Sequence, residues 1–147
     1  MDPNVEINVL EGASSNYNWA ILGDLLIAFA RSGTVAPERF DQYLDAIRKR
    51  EPKSILSISE GTAHVTSVQR KAAAELVKDK NIRIAVVLDS AVTRGFITAL
   101  SWLGVGIKSF GPGAEKEALD YLEVSEDKLG EALELLEWLR EHTQAEQ

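Results

Sequence analysis

The segment that most limits what this chain can become runs from Ile82 to Phe110, IRIAVVLDSAVTRGFITALSWLGVGIKSF. Six of the seven residues from Ile82 to Leu88 are apolar, and the polar pair Asp89-Ser90 ends the run. That is the pattern of a strand buried on both faces with a helix after it. From Ala91 to Leu103 the apolar positions Val92, Phe96, Ile97, Leu100 and Leu103 recur at helical spacing; Gly104 and Gly106 interrupt it before a short apolar segment, Val105 to Phe110. Strand, helix and strand in so few residues read as a right-handed parallel crossover, which sets helices against a sheet and predicts an α/β class.

The chain has 147 residues, about one domain with a single core. Its 23 acidic residues against 16 basic ones leave a net charge of -7, which argues against a nucleic-acid or anionic-membrane surface as the partner. Cysteine is absent, so neither a disulfide framework nor a thiolate site is available. The opening MDPNVEINVLEG lacks the charged-then-apolar plan of a signal peptide, and no apolar run approaches the ~20 residues that span a bilayer. The expectation is a cytoplasmic protein without membrane insertion.

Along the chain, Val5, Ile7 and Val9 alternate with Glu6 and Asn8, a half-buried edge strand, with a turn over residues 11–16. Two apolar runs, Tyr17 to Leu22 and Leu25 to Phe29, flank Gly23-Asp24 and suggest adjacent antiparallel strands. Arg31 to Thr34 reads as a loop. Pro37 opens a helix whose apolar face is Phe40, Tyr43, Leu44 and Ile47, and Arg48-Lys49-Arg50 at its end complement the helix dipole. Ser54 to Ser59 is a strand that turns at Glu60-Gly61; residues 62–66 form a loop, and Thr66 or Ser67 caps a helix through Arg70, Ala73, Leu76 and Val77.

After the break at Gly111-Pro112-Gly113, Ala114 to Leu122 is a short helix. Ser125 caps a last helix with the stripe Leu129, Ala132, Leu133, Leu136 and Leu139, opposite Glu131, Glu134, Glu137 and Glu141, while His142 to Gln147 are expected to fray. Leu135 and Trp138 widen that stripe. They are the candidate interaction surface, for a partner or a second copy, if the chain's own sheet leaves them uncovered.

Residues able to do chemistry are few. His64 and His142 are the only histidines, one in the loop and one at the tail, and neither makes a persuasive base or metal ligand. Asp89 differs from the other carboxylates because it follows a buried strand at the edge where α/β sheets place functional groups, although a helix cap explains it equally well. There is no GxxxxGK[ST] or GxGxxG loop, so no nucleotide cofactor is implied, and no metal or other cofactor is expected. Asp89, Ser90, Thr93 and Arg94 bring hydroxyls, helix-start amides and a guanidinium together as a candidate small-anion site.

The order of segments resembles the STAS domain of anti-sigma factor antagonists, and more closely the STAS-like proteins of myxobacteria and related bacteria. The residues that carry the resemblance are IAVVLDS (Ile84 to Ser90), Thr93-Arg94-Gly95, Thr98 to Trp102, Ile107 to Phe110 and Ala118 to Leu122, within a span of about residues 19–123. The resemblance implies a mixed sheet of about five strands with helices packed on it, and binding of proteins or small ligands without an enzymatic reaction. Phosphoregulated antagonists carry an Asp-Ser-Ser/Thr-Gly motif after the strand that follows helix one. Here that strand is SILSIS and leads into EGTAHVTS, so the motif is missing; Thr66 and Ser67 match it by position alone and are the candidate phosphorylation sites.

The sequence thus divides into an N-terminal strand and turn (1–16), a STAS-like α/β domain (17–123) and a C-terminal amphipathic helix with a frayed tail (124–147). The expected function is a non-catalytic regulatory module in signalling that acts through protein–protein contacts, as a homodimer or with another protein. The alternative is a sensor of a small ligand or anion, whose pocket lies between the Ser59 to Ser67 loop and the Asp89 to Arg94 turn. A third reading, an enzyme built on Asp89 and a neighbouring hydroxyl, has no base, metal or cofactor motif to accompany it.

Overall fold

A computed structural model describes residues 5–9, 16–90 and 106–145. Six strands form one mixed sheet in sequential order: β1 (Val5–Asn8), β2 (Tyr17–Leu22), β3 (Leu25–Thr34), β4 (Ser54–His64), β5 (Arg83–Val87) and β6 (Ile107–Phe110). β1 to β3 are antiparallel neighbours, and β3 to β6 run parallel. The Gly23-Asp24 connection is a two-residue hairpin between paired Leu22 and Leu25, with a positive φ at Gly23 (57°) as a first-position glycine allows. The edge strand expected at the N-terminus pairs within the chain's own sheet, through Val5↔Leu22 and Ile7↔Ala20. The link from β5 to β6, with the helix predicted over 91–103, lies outside the described residues.

Helices cover both faces. α1 (Pro37–Arg50) and α2 (Ser67–Asp79) pack on the face carrying Trp19, Ile21, Leu26, Ala28 and Ile55, with Phe40, Tyr43, Leu44, Ile47 and Val77 as their buried apolar side chains. α3 (Glu115–Tyr121) and α4 (Glu126–His142) cover the opposite face, where Ala118, Leu119, Ala132, Leu136 and Leu139 meet Leu22, Ile27, Phe29, Leu56, Ile58 and Val87. β2 is buried at every position because it is covered on both sides, which is why its sequence is a continuous run rather than an alternation. The amphipathic tail helix is a layer of the same core as β2 to β5.

Three segments depart from expectation. Arg31 to Thr34 is strand rather than loop, and β4 continues past Glu60-Gly61 to His64. The two extensions pair as Gly33↔Ala63 and Thr34↔His64 beyond a bulge between Arg31 and Gly33. Gly61 takes a φ of 90°, and a Cβ there would stand 2.0 Å from the Ser32 Oγ. The turn-forming residues therefore shape a bulge instead of ending the strands. The third departure is the tail: His142 completes α4, and Thr143, expected to fray, is 2% exposed.

Candidate functional site

The C-terminal ends of the parallel strands meet the C-terminal end of α4, and charged side chains fasten the two together. Arg31, on the extended part of β3, donates from Nε to the Thr143 carbonyl (2.6 Å), from Nη2 to the Arg140 carbonyl (2.8 Å) and from Nη1 to Glu60 (3.0 Å). A guanidinium thus supplies the donors that the last carbonyls of a helix lack, at the negative end of its dipole. From the other side, the Asn18 amide of β2 donates to the Thr143 hydroxyl at 3.0 Å, and its carbonyl accepts from buried Arg39 at 3.0 Å.

Arg140 closes the arrangement. Its Nε reaches Glu60 at 3.0 Å, Nη2 reaches Glu115 at 3.2 Å and Nη1 reaches Glu137 at 2.6 Å. Burial works against this charge, yet the hydrogen bonds to Glu60 and Glu137 outweigh it and hold the Arg140 pKa above the ordinary guanidinium value. Glu60 therefore bridges two arginines, one from the sheet and one from the helix.

Beside this cluster lies a cavity of about 320 Å³ lined by Ile58, Ser59, Glu60, Val87, Leu88 and Asp89, with Pro112, Gly113, Glu115 and Arg140 opposite. Of the two segments expected to line a pocket, Ser59 to Ser67 and Asp89 to Arg94, it takes Ser59, Glu60 and Asp89. Ser90 is exposed and does not line it, and Thr93 and Arg94 lie outside the described residues. Thr66 and Ser67 are elsewhere, at the start of α2 on the opposite face. The Thr66 hydroxyl is that helix's N-cap, accepting from the Gln69 amide at 3.2 Å.

Leu135 and Trp138 are half-buried against the α3–α4 core. The Trp138 ring stacks on His142 with centroids 3.8 Å apart, and the His142 Nδ1 lies 2.8 Å from the Trp138 carbonyl. His64 is exposed at the end of β4. Among the described residues no group of three His, Asp or Glu side chains is placed to hold a metal ion, and no helix is long and apolar enough to cross a membrane.

Arg31, Glu60, Glu115, Arg140 and Thr143 were not recognisable as a set. Arg31 and Glu60 stood in segments read as turns, and Thr143 in a tail read as frayed. Only the spacing of Glu137 and Arg140 on one helix hinted at any pairing. No protein-family model matches the chain, and no curated protein matches it.

Proposed function

We propose that the chain is a non-catalytic, STAS-like regulatory module that works in the cytoplasm through protein–protein contacts, with another protein or a second copy. The order of three antiparallel-linked strands followed by alternating helices and parallel strands supports that reading. The observation that carries it is Val68, 77% exposed in the first turn of α2 directly after exposed Thr66 and Ser67. In the phosphoregulated antagonists that the chain resembles, the regulatory serine follows the strand after helix one; Thr66 and Ser67 match that place by position alone, without the Asp-Ser-Ser/Thr-Gly motif. Val68 and the two hydroxyls before it are the position proposed for the partner contact.

A photo-crosslinking residue at position 68, introduced in the cells that produce the chain, tests this. The expected result is a discrete polypeptide adduct that is lost when unlabelled wild-type chain competes and kept when a Val68→Asp chain competes. An adduct that both chains displace equally, or no adduct at all, contradicts a contact at this position.

The cavity beside Asp89 favours a second reading, a small-ligand sensor. Its position at the C-terminal edge of a parallel sheet, its apolar floor and its size support it.

A further inference from the structure

The cavity at the sheet edge has three chemically different parts. Its floor is apolar: Ile58, Val87 and Leu88 are at most 8% exposed. One wall is the Arg140 cluster, where the one cation of the described lining is already shared among Glu60, Glu115 and Glu137. The mouth carries Asp89, an exposed carboxylate with no hydrogen-bond or ion-pair partner among the described residues. Among the described residues, the carboxylates of Glu60, Asp89, Glu115 and Glu137 outnumber the guanidiniums of Arg31 and Arg140 that pair with them, so the described lining is net negative.

The described lining favours a cation over an anion, while Thr93 and Arg94 of the candidate anion site lie outside the described residues. A bare metal ion fits poorly, because no three-ligand group is assembled among the described residues. What fits is a cation that brings its own apolar surface to the floor and its own donors to Asp89, which has no partner among the described residues. We infer that the cavity binds a small organic amine, with its alkyl stem over Ile58, Val87 and Leu88 and its ammonium group donating to Asp89. At about 320 Å³ the cavity is at the small end of ligand sites, which suits a stem of a few carbons. The inference rests on the sensor reading and gives it a ligand class.

Three probes with one stem separate charge from shape: n-butylammonium, n-butanol and butyrate, each titrated into the full chain while backbone amide resonances are followed. Butylammonium is expected to move the amides of Ser59, Glu60, Leu88, Asp89 and Gly113, butanol to move them weakly, and butyrate not at all. Asp89→Asn, at an exposed position outside both cores, is expected to weaken butylammonium binding by about tenfold.

If butanol or butyrate binds as well as the amine, the sensor reading stands and the amine assignment is wrong. If none of the three moves these amides, both fall. If butylammonium shifts the amides of Glu134, Glu137 and Glu141 equally and Asp89→Asn changes nothing, it is only a counterion of an acidic helix and the inference is overturned.

Discussion

Arg39 is a guanidinium 2% exposed whose hydrogen-bond partners among the described residues are all neutral. It donates to the Tyr17 and Asn8 carbonyls and to the side chains of Asn8, Gln42 and Asn18, and it lies over the Trp19 ring at 4.0 Å. Every donor is used, yet burial still lowers its pKa to about 10. Beside it, burial raises the Tyr17 phenol well above its ordinary value of 10.0 and moves Tyr43 to about 12.

A phenol whose folded pKa is raised keeps its proton in the native state after the unfolded chain has lost it. Its contribution is complete below pH 10 and is lost as pH rises through about 10 to 12. Arg39 acts in the opposite sense, because its folded pKa lies below the unfolded 12.5 and the unfolded chain then binds more protons. Two phenols against one guanidinium leave a net loss. Thermal melts are therefore expected to fall once pH exceeds about 10, in step with tyrosinate absorption, and Tyr43→Phe should lessen the fall. A melting temperature that stays constant while the tyrosines ionise would refute this account of the cluster.

Among the elements, those with a strong repeat were legible. α1 begins at Pro37 and buries the four apolar residues its spacing named, and the β2–β3 hairpin turns at Gly23-Asp24 as read. The extensions of β3 and β4 were not, because Arg-Ser-Gly-Thr and Glu-Gly-Thr-Ala are turn chemistry, and only their pairing with one another across the bulge makes them strand.

The end of α4 was hidden for a different reason. Thr143 is held by hydrogen bonds from Arg31 and from Asn18, 112 and 125 residues away, and no local pattern encodes such distant partners. Thr143→Val keeps the shape and removes the hydroxyl that accepts from Asn18, so denaturant unfolding should register a loss of about 1–2 kcal/mol from the Asn18 amide left short of a partner. Unchanged stability would mean that the end of α4 is held by Arg31 alone.

For the whole molecule, sequential strand order leaves no switch point in the parallel part of the sheet, the usual origin of a binding crevice in such folds. The cavity arises instead where β4, the end of β5 and the start of α3 meet Arg140 of α4. Asp89, at the end of a buried run, is the one described residue of the expected Asp89 to Arg94 turn that lines this cavity. The cavity's charge was not legible, since that depends on Glu60, Glu115 and Arg140 converging from three separate segments. The opposite face offers Val68, exposed at the start of α2, as the proposed contact.

Contact with another polypeptide is the central claim. It is tested most directly by the solution mass of the chain purified under native conditions from its own cells, compared with the Val68→Asp chain. The account predicts that the wild-type chain sediments in an assembly of fixed stoichiometry, and that Val68→Asp runs at the mass of one chain with an unchanged melting temperature. A wild-type chain that runs as a single copy, or an assembly that Val68→Asp leaves intact, would contradict it.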